Sequence, residues 1–587
     1  MLWNPLRSRV FWVPYYRIVM TSPIQNRRLH SYDEAIIALN SLQSNVSTIR
    51  QSLAERQKNA QTNLPRTVAF LEKSGMTMDD MRQIKFVHVS GTKGKGSTCA
   101  FLESILRKHG LKTGFFSSPH LVTATERIRL NGVPISQEKF TPYFWSVFDR
   151  LCGPNEVERP PYFMFMTLLA FHVFWKENVD VAIMEVGIGG SYDCTNVIPT
   201  PLVCGITALG IDHTSMLGNT IEEIAWHKAG IMKPGALTFV DSNQPPAALH
   251  VIKTEAHRVG AQAWVVPQLD DYDWGSFPAK KLGLFGTIQE RNASIALQMS
   301  RAFLQAAKGW EVPATVRDGD LEVAQPYPLS VEDALGLRLC FWPGRSQTLI
   351  FDDVVFMLDG AHTKESMQAC KAWFEHESPN QMNRLDPSNA GRDRVFKVLL
   401  FNSTGDHSFE EMLFILSTLD FDMVVFCTNS ASKKMADNIN HMSTMTDRLE
   451  RCRLHKAIWD LMNPHVPSLI IPFLDNALVW ITQCHGDLRR LCCHSGNGLE
   501  ECNGSKYSEV HLKGVQKLLG DGSPCPEKLT QASQVQVLAT GSLHLIGGVL
   551  EIANPDISMM SEQEKEQQQA VEDEYVSLGG NRSAVSS

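Results

Sequence analysis

Between Phe86 and His109 a strand-length apolar run, a glycine- and lysine-rich turn and a helix follow one another without a gap. That order commits the chain to a parallel α/β sheet. Phe86–Ser90 reads as the strand, Gly91-Thr92-Lys93-Gly94-Lys95-Gly96-Ser97 as the turn, and Ser97–His109 as the helix, stopped by Gly110. Glycines let a backbone curl until successive N–H groups face one anion, and a helix N-terminus adds partial positive charge. A lysine in such a loop neutralises the outer phosphates of a nucleotide. The bland reading of a Gly/Lys turn is a surface loop, but a strand before it and a helix after it favour nucleotide binding. The spacing is not that of the commonest phosphate loop, because the last glycine follows Lys95 instead of preceding it.

The alternation continues on both sides. Ser31 to about Ser74 has helical spacing, with Ala35, Ile36, Leu39 and Leu42 three and four residues apart. Thr113–Phe116, Val179–Val186 and Pro201–Leu209 read as strands, and Tyr162–Lys176 as a helix-like block. A second set supplies strands at Val354–Leu358, Val395–Asn402, Met423–Thr428 and Gln536–Thr540, with a loop-like stretch over Pro313–Pro328 between the sets. Two α/β domains are expected, residues 31–335 and 336–554, the second with irregular inserts at 378–394 and 486–526. Residues 555–587 hold seven acids and no apolar periodicity, the makeup of a disordered tail. In open parallel sheets ligands collect beyond the carboxyl ends of the strands.

Composition excludes several classes. Sixty-three acids against 55 lysines and arginines leave a charge of −8, which argues against a grip on nucleic-acid phosphates. The longest apolar run, Tyr162 to Trp175, is too short to span a bilayer and carries Thr167 and His172. Thirteen cysteines, an odd number without a regular frame, read as reduced thiols. The cluster Cys484, His485, Cys492, Cys493, His494 and Cys502 lacks the paired short spacing of a structural zinc site and reads as loop thiols. Residues 1–32 carry Arg7, Arg9, Arg17, Arg27 and Arg28 and no acid. Arg-rich and acid-free is the composition of a mitochondrial transit segment, here assigned to 1–30. Met20 lies inside it, and initiation there would leave a cytosolic form beside the mitochondrial one.

The phosphate loop resembles that of the Mur-ligase superfamily, in its folylpolyglutamate synthase branch. The resemblance continues in order through Phe115-Phe116-Ser117-Ser118-Pro119-His120-Leu121 and Glu126-Arg127-Ile128-Arg129. Glu185-Val186-Gly187-Ile188-Gly189-Gly190, Gly210-Ile211-Asp212-His213-Thr214 and Lys228-Ala229-Gly230-Ile231 come next. Trp342-Pro343-Gly344-Arg345, Leu358-Asp359-Gly360-Ala361-His362 and Ala539-Thr540-Gly541-Ser542-Leu543-His544 complete it. One such motif would be weak; an ordered series from Ser31 to Ala553 is strong. It implies a Mur-ligase-like ATPase domain with a parallel central sheet, followed by a smaller Rossmann-like α/β domain.

It also implies ATP and magnesium, with two metal ions and a monovalent cation such as potassium. Nucleotide contacts are expected at Gly91, Thr92, Lys93, Gly94, Lys95, Gly96, Ser97, Gln289, Asn292, Arg345, Asp359 and His362. Lys95, Glu185, His213 and Lys228 would carry the chemistry, and metal contacts map to Ser118, Glu185 and His213. Glu185 ends a strand before glycines that permit close approach, although a solvated strand-end acid is the plain alternative. A histidine after a strand, read alone, is more often packed than ligating. Lys228 follows the capping-box pattern Thr220-x-x-Glu223 on a helix ending at Gly230. The family's matching lysine is carbamylated and serves a second magnesium; an isolated lysine there would normally reach for water. Ser117, Pro119, His120, Leu121, Arg127, Tyr162 and Phe163 match segments near the folate, while Tyr162 and Phe163 equally suit a helix core. Two departures stand out: Ile288 where the family has histidine, and Thr125 where relatives commonly have arginine.

The expected reaction joins glutamate in γ-linkage to a reduced folate through an acyl phosphate. The small-molecule partners are then folates, glutamate and ATP, with a monomeric protein in the mitochondrial matrix, associated with the inner membrane or free of it, and in the cytoplasm. The alternatives are dihydrofolate synthase, which uses the same chemistry, and a nucleotide-binding regulatory protein with a dead site. A wall-building ligase of the superfamily fits the Ser-Pro-His-Leu loop and the leader poorly.

Overall fold

A computed structural model describes residues 31–43, 62–275, 277, 281–307, 321–351, 353–382, 395–404, 408–430, 445–482, 527–553 and 569. The leader, the cysteine cluster, the 486–526 insert and almost all of the tail lie outside these residues.

Fourteen described strands form two sheets. The first contains β1 (Phe86–Ser90), β2 (Thr113–Phe116), β3 (Ile128–Leu130), β4 (Val133–Pro134), β5 (Val181–Glu185), β6 (Pro201–Ile206), β7 (Leu237–Val240) and β8 (Gln262–Val265). Their order is β4-β3-β2-β5-β1-β6-β7-β8. All neighbours from β2 to β8 pair parallel, and β3 and β4 add an antiparallel edge. The second sheet contains β9 (Gln347–Phe351), β10 (Val354–Asp359), β11 (Val395–Phe401), β12 (Met423–Cys427), β13 (Ser468–Ile471) and β14 (Gln534–Thr540), in the order β13-β12-β11-β14-β10-β9. It is parallel except for β9. The expected α/β architecture is therefore present, with two antiparallel edges that the apolar runs did not signal.

Both sheets are covered on both faces, so their strands read as continuous apolar runs. Phe86, Ala182 and Met184 face a core that holds most of the helix Tyr162–Lys176. Val87, Val89, Val181 and Ile183 face a second core with the helices Lys95–Lys108 and Thr287–Ala307. The block Tyr162–Lys176 is apolar all round because it is buried all round, as such helices are in large cores. Among the described residues no helix is long and apolar enough to cross a membrane.

Several boundaries move for local reasons. The helix after the phosphate loop starts at Lys95, because Gly94 adopts a left-handed φ of 91° and caps it. The expected irregular insert at 378–394 is corrected over its first turn: the helix Lys364–Met382 runs through Pro379. Ser378 and Gln381 are buried there, with Ser378 Oγ donating to Gln536 Oε1 of β14 at 2.6 Å. The helix Val331–Arg338 carries residues 335 and 336 and lies against the helix Lys95–Lys108: a Cβ on Gly336 would meet Ile105 Cα at 2.5 Å.

Candidate active site

Register is what assembles the site. On β1, Val89 pairs with Glu185 of β5 on one side and Gly205 of β6 on the other, and Ser90 pairs with Ile206. The carboxyl ends of three adjacent strands thus release the phosphate loop, the Glu185–Gly190 turn and the Gly210–Thr214 turn at one place. A cleft of about 710 Å³ opens there and extends to Trp342, Arg345, His362 and Leu543. That volume is in the range of small-molecule sites.

The phosphate loop is held to the β6 side. Thr92 N and Lys93 N donate to Ala208 O at 3.0 and 3.1 Å, and Gly210 N and Thr92 Oγ1 lie 3.2 Å apart. Gly91 has φ 147°, and a Cβ there would fall 1.8 Å from Thr207 Oγ1, so no other residue fits. Lys95 Nζ donates to Gly91 O at 3.0 Å; burial lowers its pKa, and Glu185 opposes that shift. Lys93 Nζ pairs instead with Asp212 Oδ2 at 3.2 Å. Gly94 lies against Asn292, whose Nδ2 donates to Gln289 Oε1 at 2.9 Å. Asn292 Oδ1 is buried without a hydrogen-bond partner among the described residues.

Glu185 is buried, and Ser118 N donates to its Oε2 at 3.0 Å. Burial raises its pKa, with Lys95 the largest opposing charge. Its Oε1 faces the loop, where a Cβ on Gly96 would lie 3.6 Å away. His213 is exposed at the cleft with a left-handed φ of 51°, and its N–H donates to Asp212 Oδ1 at 2.8 Å. Left-handed backbone outside glycine is a strain that clusters at functional sites. Lys228 does not line the cleft. It sits behind it, 3% exposed, on the helix Ile221–Ala229 that the Thr220/Glu223 capping box starts. Burial, with Lys95 adding repulsion, pushes its ammonium down to about 7. Gly230 ends that helix in right-handed backbone; it is glycine because a Cβ would fall 1.9 Å from Ser191 Oγ.

The remaining residues divide. Ser117, Ser118, Pro119, Leu121, Arg127 and Phe163 line the cleft, whereas His120 and Tyr162 stand one layer back against Arg127. Arg127 Nε donates to His120 Nδ1 at 2.8 Å, and its guanidinium lies 5.3 Å from the Tyr162 ring centre. Glu126 accepts three backbone N–H bonds from Leu121, Val122 and Thr123 and so shapes that loop. Thr125 is buried beside Thr123. Across the cleft, Arg345 and His362 are lining residues, and Asp359 ends β10 accepting from Ser346 N and Ala361 N at 2.9 Å. Burial raises the Asp359 pKa against the pull of Arg345.

Sequence reasoning missed Asp193, Tyr192 and Asn63 and gave Arg129, although part of a matching motif, no role; all four line the cleft. Asp193 carries a readable signal, six residues after Gly187 and just before a short helical turn that it caps. Asn63 carried none, because its place depends on Nδ2 donating to Tyr192 O, 129 residues away.

No family model matches the chain. Curated relatives do. Folylpolyglutamate synthase, mitochondrial, of Homo sapiens is 39% identical over 589 residues, covering 91% of this chain and 94% of that one. The Bos taurus protein of the same name is 38% identical over 578 residues, covering 90% and 93%. A solved structure of E. coli FolC in complex with DHPP and ADP superposes with a TM-score of 0.56 at 21% identity, covering 90% of this chain and 98% of that one. At that identity the structure speaks for the Mur-ligase-like fold.

Proposed function

The chain belongs to the folylpolyglutamate synthase family, and we propose that its cleft carries out the family's ATP-dependent addition of glutamate to folates with the residues described above. The observation that carries this reading is the convergence of Lys95, Glu185 and His213 at three adjacent strand ends, with Arg345 and His362, from the loops flanking β9 and β10, lining the same cleft. We divide the chain into an ATP-binding domain, residues 31–335, and a C-terminal ligase domain, residues 336–554; the helix Val331–Arg338 spans that boundary and packs on the helix Lys95–Lys108 of the first domain.

The loop residues Gly91, Thr92, Lys93, Gly94, Lys95, Gly96 and Ser97 hold the ATP phosphates. Gln289 and Asn292 contact the nucleoside, where the buried Asn292 Oδ1 offers an acceptor. Arg345, Asp359 and His362 close on it from the other sheet. Ser117, Pro119, Leu121, Arg127 and Phe163 bound the folate side, with His120 and Tyr162 orienting Arg127.

The folate γ-carboxylate attacks the γ-phosphorus of ATP, and ADP leaves as the acyl phosphate forms. The amine of the incoming glutamate attacks the acyl carbon and expels phosphate, and the amine's proton is lost. Lys95 stabilises charge on the phosphoryl group in transfer. No covalent protein nucleophile takes part.

The donor set fits magnesium. Glu185 offers a carboxylate oxygen beside the phosphate loop, and this cation takes few protein carboxylates when phosphates are present. Ser118 and His213 complete the protein's share. Magnesium, when bound, supplies neutralisation of the β- and γ-phosphate oxygens. Two ions and a monovalent cation complete the proposed complement.

Lys228 supports the second ion only as a carbamate, formed when its neutral amine adds carbon dioxide and loses a proton. A pKa near 7 leaves much of that amine neutral in the native protein. Lys228→Ala should therefore lose activity that added short carboxylates partly restore, and absence of rescue would count against the carbamate.

The decisive experiment mixes protein lacking residues 1–30 with ATP, magnesium, potassium, tetrahydrofolate and glutamate and reads products by mass. A ladder of folates, each heavier by one glutamyl unit, is expected. ADP without a ladder would overturn the reading and make dihydropteroate the next acceptor tried. We further propose a monomer, working in mitochondria as its named relatives do and, from Met20, in the cytoplasm.

A further inference from the structure

We infer that His88, a fully buried residue of β1 outside the cleft lining, is a positioning residue for ligation: through Thr195 it holds the Asp193 carboxylate that shapes the Gly187–Ile188 turn. The inference rests on the ligase reading above and concerns a network that reading does not use.

A histidine in the middle of a central strand is costly to bury unless its polar atoms are bonded. His88 is 0% exposed and lies on the same face of β1 as Phe86, beneath the short helical turn Cys194–Val197. Its Nε2 is 2.8 Å from Thr195 Oγ1, and its Nδ1 has no partner among the described residues. Burial, helped by the nearby Lys233 ammonium, holds the ring neutral by pushing its pKa down to about 3. A neutral imidazole has one N–H, and the geometry says which nitrogen carries it. Thr195 has a single hydroxyl hydrogen, committed to Asp193 Oδ1 at 2.6 Å. Its oxygen must then accept, so His88 donates from Nε2 and leaves Nδ1 bare.

The chain of bonds therefore has a direction, from His88 to Thr195 to Asp193. Asp193 is buried at the cleft wall and accepts further bonds from Thr195 N at 2.9 Å and Ile188 N at 3.2 Å, with Gly187 N also donating. Gly187 is pinched between that carboxylate and Phe163: a Cβ there would lie 3.1 Å from Asp193 Oδ2 and 2.6 Å from Phe163 Cζ. The turn begins two residues after Glu185. Loosening Asp193 would thus shift the wall that joins the magnesium carboxylate to the folate side. A leucine at 88 would fill the core without stranding a bare nitrogen. The histidine keeps that disadvantage for the sake of one N–H.

The test is a double-mutant cycle in the full chain, with steady-state ligation and ADP affinity as readouts. His88→Leu and Thr195→Val should each lower kcat about tenfold, while ADP affinity, which reports the phosphate loop, stays within about twofold. The double variant should be no worse than Thr195→Val alone. His88→Gln, whose amide can donate in place of Nε2–H, and Thr195→Ser, which keeps the hydroxyl, should recover most of the rate. Multiplying losses in the double variant would overturn the inference. So would a His88→Leu protein with normal kcat and only a lower melting temperature. If His88→Leu does not fold, the contrast between Thr195→Val and Thr195→Ser decides alone: equal rates reject the relay. A wild-type protein that makes no ladder rejects the ligase reading instead, so the two failures are distinct.

Discussion

Replacing Lys95 by alanine will lower the ligation rate a hundredfold or more while the protein remains folded and still binds ADP. The lysine begins the helix after β1, and its ammonium rests on Gly91 O at 3.0 Å and Thr92 O at 3.5 Å. These are weak tethers to the loop's own carbonyls, and the core does not depend on them. The fold should therefore tolerate the change. During phosphoryl transfer the charge that builds on the leaving and transferring oxygens needs a fixed cation, and a single preorganised donor of this kind is worth about 3 kcal/mol. That corresponds to roughly a hundredfold in rate. The loop amides and Gly91 geometry persist in the variant, so ADP affinity should move far less than kcat. Measuring kcat from the mass ladder and ADP affinity by calorimetry separates the two. Near-normal turnover would show that another cation does this work, with Lys93 the candidate because its Nζ is only 3.2 Å from Asp212 across the same cleft.

The second large effect is expected from Glu185→Gln. Glutamine keeps an acceptor for Ser118 N, which now donates at 3.0 Å, so the loop should hold its shape. What disappears is a buried negative charge between Lys95 and Arg345, two of the cations that hold this carboxyl's pKa down against burial. A hard divalent cation bound by few carboxylates depends strongly on each of them. The variant should need at least about tenfold more magnesium for half-maximal activity and lose about a hundredfold in kcat at the wild-type optimum. Removing the carboxylate also strips Lys95 of its largest stabilising charge, so the Lys95 pKa should fall further. A magnesium titration of both proteins checks this directly. An unchanged magnesium requirement would remove Glu185 from the metal site and leave it as a partner of Lys95 alone.

Much of this site is legible in the amino-acid sequence. The strand–loop–helix order at Phe86–Lys108, the glycines after Glu185 and the capping box before Lys228 are local signals, set by backbone freedom and hydrogen bonds within a few residues. They survive translation into three dimensions with shifts of one or two positions, as at Lys95. The contributions of Asn63, Arg129 and Asp193 are not legible in the same way. Asn63 and Arg129 act through partners in other segments, Asn63 through Tyr192 and Arg129 through the Trp342 ring 4.9 Å from its guanidinium, whereas Asp193 closes a local turn whose place at the cleft wall only the sheet decides. Antiparallel β4 is hidden because two residues carry no periodicity. The helical continuation past Ser378 is hidden because Pro379 reads as a breaker, while Gln536 and Gln534 of β14 supply buried partners for Ser378 and Gln381.

The α/β class and the strand–loop–helix order at Phe86–Lys108 are written in short-range pattern and can be read without the fold. Long-range pairing sets β1 between β5 and β6, so that Lys95, Glu185 and His213 meet at one cleft. The tertiary structure alone buried Lys228 behind that cleft and His88 against Thr195. The physical reason is that sheet order and burial are set by which faces exclude water together, over separations of a hundred residues and more. A lysine or a histidine takes its protonation state from that surrounding medium, and no local spacing encodes it.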